Sequence, residues 1–159
     1  MPYEEIEDSR IYQELESLTD EIWDVVAQWD RFARDSVGLQ LVRSSDSIGA
    51  NYAEAGGRFY PKDVINFLFH SRGSLRETNW WIRRARSRKM VPHEKADEWL
   101  ARLRDLARSL NSFVKSQRQR LQRDANTSYV LRESSHPFEE GADLNPLQPS
   151  SQPANPPTS

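Results

Sequence analysis

Apolar residues recur at steps of three and four along most of the chain, which is the spacing that places side chains on one face of a helix. The first such stretch predicts a helix over residues 12–34, with a stripe formed by Leu15, Leu18, Ile22, Val25, Trp29 and Phe32. The second predicts a helix over residues 37–56, with Leu41, Ser45, Ile48, Tyr52 and Ala55 on its apolar face. Gly56 and Gly57 follow as a C-terminal stop.

Two further helices are predicted to begin at prolines, which are favoured in the first turn of a helix. One runs from Pro61 to a basic last turn at residues 86–89, and the other runs from Pro92 to about Arg123. The last helix places Ala96, Trp99, Leu103, Leu106, Leu110 and Phe113 on its apolar face. Four amphipathic helices with short connections predict an all-α fold, an antiparallel up-down-up-down four-helix bundle.

The regions on either side of these helices differ from them in composition. Residues 1–11 are predicted to form an acidic extension and residues 12–123 the bundle. Residues 124–159 contain six of the nine prolines, interspersed with Ser, Gln and Asn. Such a segment cannot bury enough apolar surface to offset its ordering entropy, so a disordered tail is predicted.

The length and composition restrict the class of protein further. A chain of 159 residues can form one domain with its own core. It has no cysteine, so disulfides, thiolate metal sites and cysteine nucleophiles are excluded. Neither a secretory signal nor an apolar run of membrane-spanning length is visible. We therefore expect a cytoplasmic protein with no membrane partner and no cofactor.

Charge is segregated along the chain. Residues 1–30 contain ten acidic residues and one basic residue, whereas residues 58–123 contain seventeen basic and six acidic residues. This asymmetry predicts that the acidic first helix pairs with basic helices, within or between subunits. The surplus basic surface is then available to a polyanion.

Two groups of basic residues are candidate nucleic-acid contacts. The first lies at the end of the third helix and comprises Arg83, Arg84, Arg86, Arg88 and Lys89, beside Trp80 and Trp81. Its cations suit phosphates, and an exposed Trp80 suits an unpaired base. The simpler alternative is that the cations complement the helix dipole and that the tryptophans pack in the core or between subunits. The second group lies on the fourth helix and includes Arg104, Arg108 and Lys115, together with Arg102, Arg118, Arg120 and Arg123. It either contacts nucleic acid, forms the outer face of an assembly or pairs with the first helix.

Small and polar residues fill the second and third helices where a self-sufficient core would use Leu or Ile. Among them, Arg43, Asn51, Glu54, Ser74 and Glu77 are predicted to form a structural motif. In this interpretation the two carboxylates meet Arg43, Arg72 or Arg76, and Asn51 forms an interhelical hydrogen bond. A metal site formed by Glu54, Glu77 and His70 is the alternative. It is disfavoured because bundle metal sites use a Glu-x-x-His on each of two helices, and residues 12–123 contain no such motif.

The order of these motifs resembles a known family. Gln40-x-x-Arg43, Ser47-Ile48, Asn51-x-x-Glu54, Gly56-Gly57-Arg58 and Gly73-Ser74-Leu75-x-Glu77 resemble the four-helix bundle protein family, over about residues 12–120. That family contains proteins encoded in ribosomal-RNA intervening sequences and the accessory variability (Avd) proteins of diversity-generating retroelements. The resemblance implies a bacterial bundle that assembles into a ring-like homopentamer with a basic surface. In the retroelement branch it also implies binding to a reverse transcriptase and to RNA or DNA, and it implies no enzymatic activity.

The sequence offers little support for catalysis. His70, His93 and His136 are dispersed, and no nucleophile or phosphate-loop motif is present. The first functional hypothesis is an oligomeric nucleic-acid-binding accessory protein. The alternative is a protein-binding assembly module whose basic helices mediate self-association. Both need a second interface, which is predicted from the apolar residues off the main stripes, namely Trp23, Val26, Phe67, Phe69 and one of Trp80 and Trp81.

Overall fold

The computed structural model describes residues 6–134, all of them helical or in short turns. A short 3-10 turn at Ile6–Asp8 precedes α1, Arg10–Ala27. Helix α2 covers residues 31–56 and consists of an α-helical turn at Arg31–Ala33, a π-helical turn at Arg34–Gly38 and the α-helix Leu39–Gly56. Helices α3, Pro61–Ser87, and α4, His93–Ser134, complete the fold.

The four helices form the predicted antiparallel bundle. Each packs against the next in the chain, and α1 also packs against α4, which closes the bundle. The core contains buried members of the stripes predicted for α1, α2 and α4, among them Leu15, Leu18, Ile22, Leu41, Ile48, Trp99, Leu103 and Leu110. Helix α3, for which no stripe was predicted, contributes Leu68, Leu75 and Ile82. The all-α fold and the up-down-up-down order are therefore confirmed.

The predicted first helix over residues 12–34 is wrong at its C-terminal end. Helix α1 ends at Ala27, and α2 begins after Asp30, whose Oδ1 accepts a hydrogen bond from the Ala33 N–H at 3.0 Å. The spacing of apolar residues continues through this turn, and so it conceals the break. Phe32, the last member of the predicted stripe, is consequently 83% exposed.

Close approach of α2 and α3 depends on the small residues that the sequence places there. Ser71 is buried and donates a hydrogen bond from its Oγ to the Ile48 carbonyl oxygen at 2.9 Å, across the two helices. Buried Ser44 and Ser45 donate to the carbonyl oxygens of Leu41 and Val42 in their own helix. Each buried hydroxyl is thus hydrogen-bonded, as the cost of burying a polar group requires.

Helix α4 continues to Ser134, past the end predicted at about Arg123. Leu121 is the last of its residues that packs against the core, and every side chain from Gln122 to Ser128 is exposed. The remainder of the predicted tail, residues 135–159, lies outside the described residues, as do residues 1–5 of the acidic extension.

Gly38 allows α1 and α2 to approach each other beside the turn that joins them. A Cβ on Gly38 would lie 2.7 Å from Val26 Cγ1, whereas a Cβ on Gly49 would meet nothing within 4 Å. We expect Gly38→Ala to lower the free energy of unfolding by about 1 kcal/mol, because crowding outweighs the gain in helix propensity. Gly49→Ala is expected to raise it by up to about 1 kcal/mol. Chemical denaturation of both variants checks the prediction, and two shifts of the same sign would contradict it.

Candidate nucleic-acid interface

The last turns of α3 and the loop that follows carry a group of residues that we call the α3-end cluster: Trp80, Arg83, Arg84, Arg86, Arg88 and Lys89. The helix ends in a tight turn, in which the Met90 N–H donates to the Ala85 carbonyl oxygen at 2.9 Å. This bond directs the chain towards α4 and leaves Arg88 and Lys89 exposed at the end of the bundle. The structure thus places the predicted cations in one local group.

Three arginines of the α3-end cluster are held by neighbouring side chains. Arg83 Nε donates to Asn79 Oδ1 at 2.9 Å, and Arg86 forms an ion pair with Asp97 of α4. The Arg84 guanidinium lies 4.7 Å from the centroid of the Trp80 ring. These contacts orient the cations, and they also occupy one face of an indole that is 54% exposed. Stacking of an unpaired base on Trp80 is therefore limited to the other face of the ring.

Lys89 has φ = 59°, and it is the one residue other than glycine with a positive φ in the described chain. Glycine is the usual residue at this left-handed position after a helix, because a Cβ is disfavoured there. We expect Lys89→Gly to raise the free energy of unfolding by about 0.5–1 kcal/mol. If Lys89 contacts phosphate, the same change weakens nucleic-acid binding. In that case the variant gains stability in thermal denaturation and loses affinity in a binding titration. A loss of stability would contradict the first expectation.

The predicted residues on α4 lie along the helix and not beside the α3-end cluster. Arg104, Arg108 and Lys115 are separated by four and seven residues, share one face and are exposed. Arg108 pairs with Asp105 at 2.7 Å, while Arg104 and Lys115 have no ion-pair partner among the described side chains, which are those of residues 6 and 8–128. Asp97 of α4 meets Arg86 of the cluster, and Arg104 and Lys115 lie about 10 Å and about 27 Å beyond Asp97 along the helix axis.

Sequence reasoning missed one aromatic site between α3 and α4. The guanidinium groups of Arg72 and Arg118 each lie 5.7 Å from the centroid of the Phe69 ring. The position of Phe69 off the core stripe was the one feature of the sequence that could have indicated this site. Its two cationic neighbours come from different helices, so their meeting could not be inferred from spacing.

The acidic first helix pairs with basic residues inside the same subunit. Arg102 Nε and Nη1 donate to Glu14 and Glu21 at 2.6 Å each, and Lys95 forms a second ion pair with Glu21. The hydrogen bond from Lys95 lowers the pKa of Glu21, and the same bond raises the pKa of Lys95. Arg102, included among the α4 candidates by sequence, is therefore a link between α1 and α4.

This link makes stability depend on pH. The lowered pKa of Glu21 means that its contribution is complete above the ordinary carboxylate pKa and is lost as pH falls through the lower folded value. We expect Arg102→Ala to lower the free energy of unfolding at neutral pH by about 1–3 kcal/mol, because it removes hydrogen bonds between charged groups. The deficit should shrink on acidification below about pH 4, where carboxylates become protonated. Urea titrations at several pH values measure this deficit in the free energy of unfolding. A deficit that does not depend on pH would contradict the assignment of Arg102 as a partner of the α1 carboxylates.

The motif residues on α2 and α3 form a polar seam. Ser74 Oγ lies 2.9 Å from Ser47 Oγ, and Asn51 Nδ2 donates to the Ser47 carbonyl oxygen at 2.7 Å. The prediction of an interhelical bond from Asn51 is wrong, because its amide bonds to Ser47 one turn earlier in the same helix. The bond between the two helices is the one that joins Ser74 and Ser47. Glu54 pairs with Arg58 in place of the three arginines expected from sequence.

The second carboxylate of the motif lies further along this seam. Glu77 accepts a hydrogen bond from Trp81 Nε1 at 3.4 Å and lines a polar notch with Gln40, Arg43, Ser44 and Ser47. Within residues 6–134 no group of three His, Asp or Glu side chains is placed to hold a metal ion. We therefore interpret the seam as a contact between helices that is formed by packing and hydrogen bonds.

The apolar residues off the main stripes divide into two sets. Val26 is buried and Phe67 half-buried, whereas Trp23, Phe69 and Trp80 are exposed. Trp81 packs partly against the core, so Trp80 is the exposed member of the pair. None of the described helices carries an apolar stretch long enough to cross a membrane.

Comparison with known proteins places this bundle in a family. A solved structure of a protein of unknown function, from the S23 ribosomal protein family of Bacteroides thetaiotaomicron, matches with a TM-score of 0.59 and 21% identity. The match covers 66% of this chain and 98% of that one, and at this identity it supports the fold alone. The comparison with curated proteins found no match. The sequence profile of the 23S rRNA-intervening sequence protein family matches residues 7–112, more than half of the chain. This protein therefore belongs to the 23S rRNA-intervening sequence protein family.

Proposed function

We propose that this protein is a non-enzymatic, oligomeric accessory protein that binds nucleic acid through the basic faces of α3 and α4. The observation that carries the proposal is that few of the basic residues form ion pairs within the subunit. Of the seventeen cations between residues 58 and 123, five form ion pairs among the side chains that the structure describes: Arg58, Arg86, Lys95, Arg102 and Arg108. The remaining cations have no carboxylate partner among the described residues, and most are exposed.

Such a surface suits the phosphate backbone. Phosphate contacts made by arginine and lysine carry no sequence information, and each one releases bound counterions. Binding should therefore weaken steeply as salt rises. Neither the family match nor the described residues point to catalysis.

Oligomerisation is the second part of the proposal. It is supported by apolar side chains that a lone bundle leaves in solvent, since Trp23 is 60% and Leu39 50% exposed. Both line an apolar groove between α1 and α2, with Val26, Gly38 and Val42. A ring-like homopentamer, as implied by the resemblance to the four-helix bundle protein family, would cover such grooves and repeat the basic faces.

A protein partner is the third part of the proposal. The resemblance to the four-helix bundle protein family, which includes the accessory proteins of diversity-generating retroelements, implies a reverse transcriptase as this partner. Co-purification of the two proteins from one expression host tests it. Retention of the enzyme by the tagged protein after a nuclease treatment would support this partner. Loss of the enzyme after that treatment would assign the association to shared nucleic acid.

The experiment that tests the main proposal is the mass of the purified protein by light scattering at low and high salt, with absorbance ratios recorded for nucleic acid. A pentamer-sized particle that releases nucleic acid as salt rises would support it. A monomer at every salt concentration would contradict the oligomeric part. Failure to bind single- and double-stranded probes even at low salt would contradict the nucleic-acid part.

The assembly module is the second candidate function. The apolar groove between α1 and α2 favours it, because exposed apolar patches mark protein interfaces. In this case the basic helices meet the acidic α1 of a neighbouring copy. Reversal of cations on α3 would then reduce the particle mass at every salt concentration and leave no nucleic-acid binding to lose.

A further inference from the structure

Helix α4 is longer than the bundle it completes. Its 42 residues span about 63 Å at 1.5 Å per residue, against about 40 Å for the 27 residues of α3. Side chains from Gln122 to Ser128 are all exposed, and the described side chains of residues 109–128 form no ion pair with one another or with the bundle. A helical segment that is polar on every side and lacks ion pairs has little to stabilise it. Contacts with an external partner would supply the missing stabilisation.

One face of α4 carries a row of hydrogen-bond donors that we call the donor stripe. Its first part, packed on the bundle, consists of Arg104, Arg108, Asn111 and Lys115. Its second part, at and beyond the end of the core, consists of Gln119, Gln122 and Asn126. Successive members are three or four residues apart, so they lie on one helix face over about 33 Å. All seven are exposed.

The composition of the donor stripe distinguishes it from an ordinary solvated face. Solvated helix faces usually mix charges of both signs. Here every member is a cation or an amide, and no carboxylate shares the stripe; Asp105 lies beside it and pairs with Arg108. The last cation of the stripe, Lys115, comes before Leu121, where α4 leaves the core, and the three members from Gln119 onward are all amides. Gln119, Gln122 and Asn126 also line one shallow surface groove with Arg123.

We infer that the donor stripe is the surface on which a nucleic-acid duplex lies, with the cations on phosphates and the amides on phosphate, sugar or base edges. This inference rests on the proposed function and specifies its ligand. Amide side chains can donate to phosphates and read base edges in a groove. Proteins that prefer single strands use aromatic platforms for stacking, and the stripe contains no aromatic residue. The row of donors is about 33 Å long, which is close to the roughly 34 Å of one turn of a DNA duplex.

The test is a fluorescence-anisotropy titration of the full chain against a duplex DNA, a duplex RNA of the same sequence and the separate strands, at several salt concentrations. The key variant is Gln119→Ala/Gln122→Ala/Asn126→Ala, which leaves the net charge unchanged. Alanine favours the helix, so a loss of binding cannot come from unfolding. We expect duplex affinity to fall roughly tenfold or more, with an unchanged salt slope. The control Gln13→Ala/Asn66→Ala removes two exposed amides on α1 and α3 and should bind as the natural protein does.

A second variant tests the cationic part of the stripe. Arg104→Ala/Lys115→Ala removes two cations without ion-pair partners and should reduce the salt slope on duplex DNA by about 2. If the amide variant binds duplex as tightly as the natural protein does, or if the natural protein binds only single strands, the inference is overturned. The proposed function would still stand in either case. If the natural protein binds none of the probes, the proposed function fails as well, and the inference falls with it. Binding to either type of duplex with loss in both variants supports it.

Discussion

Replacing Trp99 with alanine should lower the free energy of unfolding by about 3–5 kcal/mol, whereas the same change at Trp80 should lower it by no more than about 1 kcal/mol. Trp99 is 0% exposed and is among the largest fully buried side chains of the core. Its removal loses apolar burial and leaves a cavity that the neighbouring helices can fill only in part. Trp80 is 54% exposed and loses mainly its contact with Arg84.

Urea titrations followed by circular dichroism measure both variants, at several protein concentrations because an oligomer gains stability by mass action. Equal midpoint shifts for the two variants would contradict the assignment of Trp99 to the core and Trp80 to the surface. A shift at Trp80 that grows with protein concentration would instead place Trp80 in a contact between subunits.

Reversing Arg83 and Arg88 to glutamate is expected to weaken nucleic-acid binding by about 10²-fold at 0.1 M salt and to leave the particle mass unchanged. Each lost phosphate contact costs about one decade of affinity at this salt concentration, and the new carboxylates add repulsion. These two positions are suitable because neither arginine has an ion-pair partner in the described chain. Arg86 is unsuitable because its reversal would also place a carboxylate against Asp97.

The matched control is Arg10→Glu/Arg31→Glu, which changes the net charge equally at exposed positions that precede the basic faces of α3 and α4 in the chain. Arg31 has one ion pair, with Asp35, and both side chains are largely exposed, so little stability is at stake. If the control weakens binding as much as the test variant, the effect comes from net charge and not from the cluster. A reduced particle mass in the test variant alone would favour the assembly module.

Ion pairs within the subunit determine which basic residues remain available to bind a ligand. Arg102 and Lys95 are committed to the carboxylates of α1, and Arg86 to Asp97. Arg104 and Lys115 lie on the same helix as Arg102, yet they face outward without an ion-pair partner in the described residues. The charge excess of residues 58–123 is therefore concentrated on the outer faces of α3 and α4.

The number of helices, the starts of α3 and α4 and most of the core could be predicted from the sequence alone. These features depend on local spacing, because residues three and four apart must share a helix face whatever surrounds them. Ala96, Trp99, Leu103, Leu106 and Leu110 are all buried as their spacing predicts. The hydroxyls between α2 and α3 were also foreseen, since small residues admit close packing and buried polar groups must be paired.

The end of α1, the exposure of each tryptophan and the partner of each cation could not be predicted from the sequence, because contacts between helices set them. The break before Asp30 is accompanied by the close contact of Gly38 with Val26 on another helix. Trp80 and Trp81 are sequence neighbours, and the packing of adjacent helices determines which one meets the core. Arg102 meets Glu14 across 88 positions of the chain. Periodicity describes one helix at a time, and these outcomes depend on how two helices approach each other.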